Sequence, residues 1–303
     1  MILLEPYFWV LATLLAALGQ SLRSVIQKNS RAEMGIYGSA FVRFFYGLPA
    51  SLLLVIWLVD PADVQVHAIP PAFFYWLLPA AMIQILFTIV LGYAFEQRNF
   101  ATSIALSKTD AIQAAFFELL LLSIIPDIKV VVAITVGFIA IYLISQSKYD
   151  HPVAGTVLSR SRSVFIGLFA GLCLGSCSVF FRIAMDLLPG LDIVDKAIFT
   201  SCLSTLLQVL IMGACLWIWR PNELMSCLRG WQISLVAGTI AAVTTFMWFV
   251  AFGMKGVAPV RMLGQVEILF SLAFSVWFFK ERVRRLEVVG AAMIIISVWI
   301  LLS

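Results

Sequence analysis

Residues 94–118, AFEQRNFATSIALSKTDAIQAAFFE, and residues 251–275, AFGMKGVAPVRMLGQVEILFSLAFS, decide how this chain is organised. Set one above the other at a constant offset of 157, they pair Ala94-Phe95 with Ala251-Phe252, Arg98 with Lys255, Ala101 with Ala258, Leu106 with Leu263 and Phe117 with Phe274. They also pair Asp110 with Glu267, and beyond them Val131-Val132 falls on Val288-Val289. Apolar identities arise by chance in any greasy chain, whereas two acidic residues at one register inside apolar sequence are harder to dismiss. Self-similarity at a fixed spacing is the mark of internal repetition, so the chain reads as two copies of one unit.

The rest of the chain says what solvent that unit needs. Of 303 residues, 62% are hydrophobic and only 12% are charged, and the mean hydropathy is +1.04. That composition lies outside the range of soluble globular proteins. A helix crosses a hydrocarbon core of about 30 Å with about 20 apolar residues, so ten crossings would use roughly two thirds of the chain. Hydropathy and breakers place spans at 6–27, 36–59, 72–97, 99–124 and 130–147, then at 164–187, 196–219, 231–254, 257–279 and 287–302. The expected fold is an all-α integral membrane protein of ten transmembrane helices. The first five-helix repeat occupies 1–147, a polar connecting loop 148–163 and the second repeat 164–303. An odd number of spans per repeat places the two halves in the membrane with opposite topology, an inverted-repeat design recurrent in transporters.

Several function classes drop out. The net charge of +4 comes from basic residues clustered in loops beside apolar spans, where they set orientation, so no nucleic-acid partner is expected. Cys173, Cys202 and Cys215 fall inside apolar segments and read as small hydrophobes; with His67 and His151 the only histidines, no metal site and no cofactor is expected. The apolar run after Glu5 continues toward Arg23 and reads as a first span rather than a cleaved signal peptide.

At the repeated stretch and its continuation the chain resembles the EamA family of the drug/metabolite transporter superfamily. The residues that carry the resemblance are Lys280-Glu281 followed by Val288-Val289-Gly290, matching the family's turn and Gly-containing fifth helix. Ile268 and Ala111 stand where the family has a proline, and Ser123-Ile124-Ile125-Pro126 replaces the acidic turn of the first copy. The resemblance implies ten helices in two inverted repeats and transport of small metabolites such as amino acids, at a bacterial inner (plasma) membrane.

A charge at the bilayer centre costs about 2.5–3.5 kcal/mol on insertion scales, so each one there implies a partner, a wet cavity or a function. The first and sixth spans carry polar stripes at helical spacing, Gln20, Arg23, Ser24 and Gln27 in one and Ser178, Arg182 and Asp186 in the other. The second and third spans add Arg43 and Glu96. The fourth holds Lys108, Asp110, Gln113 and Glu118, with Asp110, Ala114 and Glu118 on one face; the ninth holds Arg261, Gln265 and Glu267. Spans five and ten carry no charge over Val130–Ile144 and Val288–Leu302, which suits peripheral, lipid-facing helices. Arg182 with Asp186 fits a structural pair near a helix end, and Glu96 with Arg98 fits the interface. Lys108, Asp110, Arg261 and Glu267 fit either the lining of a substrate path or fixed interhelical pairs. Most of the tryptophans stand near span ends as an interfacial belt, while Trp248 and Phe117 lie deeper, as core or as cavity wall.

These residues point to a secondary active transporter, an exporter or exchanger of small polar metabolites working by alternating access, with a small-molecule substrate, the lipid bilayer and proton coupling or exchange as partners. No nucleotide motif supplies ATP energy. A lipid or lipid-linked flippase is the alternative if the polar groove opens sideways; a membrane enzyme would need a catalytic cluster that the sequence does not display. Orientation divides the evidence. Alternating loops place Lys28, Arg31, Arg98, Lys148, Arg160, Arg162, Arg220, Arg229, Lys280, Arg282, Arg284 and Arg285 on one side and Lys129, Lys196 and Lys255 on the other. The positive-inside rule then puts both termini outside the cytoplasm, whereas the resemblance implies cytoplasmic termini.

Overall fold

A computed structural model describes residues 7–58, 69–96, 106–147, 157–229, 231–280 and 283–303, and every regular element among them is helical. In chain order these are α1 (Phe8–Phe45), α2 (Gly47–Leu58), α3 (Pro71–Glu96), α4 (Asp110–Leu122), α5 (Ile128–Ser147) and α6 (Val157–Asp186). They continue with α7 (Ile193–Trp219), α8 (Pro221–Arg229), α9 (Trp231–Lys255), α10 (Val257–Leu263), a 3-10 turn (Gly264–Val266), α11 (Glu267–Phe279) and α12 (Arg285–Leu302). Among the described residues, eight helical segments are long and apolar enough to cross a membrane: Met34–Leu58, Pro71–Ala94, Ile128–Gln146, Ser163–Asp186, Ile193–Trp219, Ser234–Lys255, Val257–Phe274 and Arg285–Leu302.

The two other expected spans are the first and the fourth. The first coincides with the N-terminal part of α1. At 38 residues α1 would run almost 60 Å at 1.5 Å per residue, about twice the hydrocarbon thickness. It is divided at Gly35, whose φ of 70° and ψ of −179° leave helical geometry at a position only glycine occupies without strain. The fourth is described only from Leu106: a turn at Lys108-Thr109 leads into α4, which Ser123 ends in left-handed conformation. The first part of that span, with Arg98 and Ala101, lies outside the described residues.

Three local corrections follow. The second span is two pieces, joined by a turn at Tyr46, because Pro49 lacks the N–H that would bond the carbonyl of Phe45. The connecting loop is shorter than expected: α6 begins at Val157, so 157–163 are helical, and 148–156 lie outside the described residues. An additional short helix, α8, sits where only a loop was expected. It docks on the break in α1. Glu223 accepts a hydrogen bond from the Gly38 amide at 3.0 Å, Cys227 Sγ donates to the Gly38 carbonyl at 3.2 Å, and Tyr46 Oη donates to the Cys227 carbonyl at 3.1 Å. Glu223 thereby caps the amides at the start of the second piece of α1.

The helices pack in a regular scheme. α1 lies along α9, and α3 lies along α6; α2 rests on α9, and α7 rests on α3. α4 packs against α6, and the segment from α10 to α11 packs against α1; α4 also touches α10, and α5 pairs with α12. Lipid offers side chains no hydrophobic gain from meeting one another, so close approach relies on small residues. On α6, a Cβ at Gly171 or Gly175 would collide with α4, and on α9 one at Gly238 would collide with Tyr46 and Gly47. Phe73, Leu77, Phe181, Phe249 and Phe252 fill the interior between α3, α6 and α9. α5 and α12 turn Ile128, Val131, Ile139, Val288, Ile295, Ile296 and Trp299 outward, the lipid-facing character read from their lack of charge.

Candidate functional site

Four charged residues of the repeated stretches, Lys108, Asp110, Arg261 and Glu267, come together around one cavity. Lys108, in the turn before α4, places Nζ 2.6 Å from Glu267 Oε2 at the start of α11. The same oxygen accepts from Gln20 Nε2 of α1 at 2.8 Å, and Ser21 Oγ donates to the Glu267 carbonyl at 3.1 Å. Across the site, Asp110 Oδ2 stands 3.7 Å from Arg261 Nε, with both side chains buried. Arg261 donates to Ser178 Oγ of α6 from Nε at 3.2 Å and from Nη2 at 2.6 Å, and its guanidinium lies over the rings of Trp248 at 4.7 Å and Phe252 at 5.1 Å. Each carboxylate is thus paired with a cation from the other half of the chain. Ser21 and Ser178 are themselves 157 positions apart, the offset that relates Asp110 to Glu267.

Local breaks in the backbone create this arrangement. The turn at Lys108-Thr109 brings Lys108 and Asp110 to one side, where an unbroken helix would hold them about 200° apart. In the ninth span the 3-10 turn Gly264–Val266 separates Arg261 from Glu267, and Gly264 has no Cβ to keep the Trp248 ring from lying against its backbone. Lys108, Asp110, Trp248, Arg261, Gly264, Gln265 and Glu267 together border a small cavity. Two polar atoms of these residues, Trp248 Nε1 and Gln265 Oε1, are buried without a hydrogen-bond partner, and Gln265 Oε1 lies against Gly137 of α5. One is a donor and the other an acceptor.

Other expected site residues go elsewhere. Glu118 is buried on the same face of α4 as Asp110 and Ala114, but its oxygens accept from the amides of Val257 at 2.6 Å and Ala258 at 2.9 Å. It caps the start of α10, next to Gly256 with its φ of 98°. Arg182 pairs with Asp186 at 2.7 Å and also donates to the Phe252 carbonyl near the end of α9, a tie between helices. Gln113 reaches the Leu168 carbonyl of α6 at 3.3 Å. The side chain of Glu96 lies outside the described residues. Arg23 and Arg43 are buried, and Arg43 lies in the positive fields of Arg23 and Arg261. Arg43 borders a second cavity with Thr205, Gln208 and Thr245. The Gln208 amide donates to Gln84 Oε1 beside it, a buried pair that a search for charges alone passes over. Its signal was present in the sequence, as an amide residue in the middle of each of two predominantly apolar spans.

Residues 161–303 match the EamA-like transporter family. This stretch is an EamA-like transporter domain. It carries Arg261, Gln265 and Glu267, and the multiple membrane-spanning helices fit a multi-pass membrane transporter. The whole chain resembles a solved protein crystal structure with a TM-score of 0.71, covering 97% of this chain and 96% of that one at 12% identity. At that identity the likeness speaks for the fold alone. No curated protein matches the sequence. The EamA-like domain also contains Ser178 and Trp248, so it contributes to every side of the central cavity except that of Lys108 and Asp110.

Proposed function

We propose that the chain is a secondary active transporter that exports or exchanges small polar metabolites by alternating access, with Asp110, Lys108, Arg261 and Glu267 around its central site. The carrying observation is the exchange of partners between halves: Asp110 with Arg261, and Glu267 with Lys108. Rocking one half against the other strains both pairs together. Breaking a buried pair costs about 3–5 kcal/mol, a population penalty of more than a hundredfold. A substrate with its own charges, or a proton on a carboxylate, takes over from the broken pair and lowers that cost. Binding and movement are then coupled through the same four side chains.

The inverted repeat is part of this proposal. The main helix pairings are kept when each span is replaced by its counterpart five places on: α1 on α9 becomes α6 on α3, α2 on α9 becomes α7 on α3, and α5 with α12 maps onto itself. The shared offset of Ser21/Ser178 and Asp110/Glu267 supports the same axis. In orientation the proposal follows the loop charges, with both termini outside the cytoplasm. A melting-temperature screen of the purified protein against amino acids, amines, nucleosides and sugars, followed by uptake of each stabilising compound into liposomes, tests the function. Saturable uptake of a stabilising solute is expected; stabilisation without uptake refutes transport.

A further inference from the structure

Taking the chain as a transporter, the distribution of charge around Arg43 narrows the class of its substrate. Arg43 lies at the end of α1 and is only 8% exposed. Its hydrogen bond goes to the Thr88 hydroxyl at 3.4 Å, and its guanidinium sits 5.4 Å from the centre of the Phe44 ring. The cations whose fields reach it, Arg23 and Arg261, share its sign. Among the described residues the buried and half-buried carboxylates named here are engaged elsewhere, and Glu287 accepts from the Arg284 amide at the start of α12. Asp110 faces Arg261, Glu267 faces Lys108, and Glu118 caps α10. A guanidinium out of water and without an anion is unfavourable, and Arg43 therefore stands as a cation whose counter-charge the described residues do not supply.

The cavity beside Arg43 says more. Thr205 donates its hydroxyl proton to the Ser201 carbonyl at 2.8 Å, and Thr245 donates its own to the Ala241 carbonyl at 2.8 Å. With their protons used within their own helices, both hydroxyls have only acceptor capacity left to offer in the cavity that Thr205 and Thr245 line with Arg43. A ligand there meets one strong cationic donor flanked by acceptors. We infer that the substrate is a small organic anion, with a carboxylate or phosphate group held by Arg43 and a hydroxyl or amine next to it that donates to Thr205 or Thr245.

The test uses the purified full chain in detergent and reads melting temperature against ligand concentration, with lactate, glycerol 3-phosphate, acetate, glycerol and ethanolamine as probes. Lactate and glycerol 3-phosphate pair an anionic group with a hydroxyl and separate carboxylate from phosphate. Acetate lacks the donor, glycerol lacks the charge and ethanolamine reverses it. Lactate or glycerol 3-phosphate is expected to stabilise the protein, acetate more weakly, and glycerol and ethanolamine not at all. Arg43→Gln should weaken that anion's binding by about tenfold or more, with Arg43→Lys in between. Stabilisation by glycerol or ethanolamine equal to that by the anions overturns the inference, as does no response to any anion, or anion binding unchanged in Arg43→Gln. Where Arg43→Gln fails to fold, the ranking of the five probes on the wild-type protein decides. Failure of anion binding alongside saturable uptake of some other solute removes the anion and leaves the transporter. Intact anion binding without uptake of any solute removes the transporter and leaves the Arg43 site.

Discussion

Replacing Glu118 should damage the fold before it touches transport. Its carboxylate accepts two short hydrogen bonds from the backbone amides of Val257 and Ala258, at 2.6 and 2.9 Å, and it is buried where water cannot replace it. A hydrogen bond to a charged group contributes about 1.5–3 kcal/mol, and amides left unpaired in a buried place forfeit most of that. Glu118→Ala removes both, so the expected loss is about 3–5 kcal/mol, a large part of a typical folding free energy. Glu118→Gln keeps one acceptor oxygen but turns an NH2 group toward the other amide, so roughly half the loss is expected. The measurement is unfolding of the purified protein in detergent, with the order wild type, Glu118→Gln, Glu118→Ala. Glu118→Ala within about 0.5 kcal/mol of wild type would refute the reasoning. So would a Glu118→Gln protein of unchanged stability that no longer transports, because it would return Glu118 to the substrate path.

Three further outcomes are expected. Gly175→Ala would put a Cβ 2.9 Å from the Asp110 carbonyl oxygen and 3.1 Å from the Ala114 nitrogen, so α6 must move from α4; thermal unfolding should show a loss of about 1–3 kcal/mol. A double-mutant cycle of Lys108→Met and Glu267→Leu should return a coupling energy of about 1–3 kcal/mol in unfolding experiments, and a value near zero would show that the 2.6 Å pair contributes nothing to the fold. A reporter fused after Ser303 should be active only in the form that functions outside the cytoplasm; activity confined to the cytoplasmic form would reverse the orientation.

The bundle and the four charged residues that come together in it were legible in the sequence for one physical reason. Intramembrane charge is costly enough to be conspicuous, and the offset of 157 sets Asp110 and Glu267 at one register of the repeat. The lipid-facing character of α5 and α12 was legible in the same way. What escaped notice depends on contacts distant in the chain. Glu118 shares a helix face with Asp110, and nothing local says that its oxygens meet the amides of Val257 and Ala258 some 140 residues away. The division of α1 at Gly35 falls between the first two expected spans, but its capping group, Glu223, was hidden, since it belongs to a helix that looks like a polar loop in hydropathy. The partner exchange of Lys108 and Arg261 needed the turn at Lys108-Thr109 and the 3-10 turn at Gly264–Val266, and neither has a breaker strong enough to announce it.

The central claim, that Asp110 and Glu267 serve transport from equivalent places in the two halves, is tested most directly by uptake into liposomes of the solute found in the stabilisation screen. Wild type, Asp110→Asn and Glu267→Gln are compared at equal amounts of folded, inserted protein. The account predicts that each single variant loses uptake while remaining monodisperse in detergent. Near-normal uptake by both variants would contradict it and move the site away from the paired carboxylates.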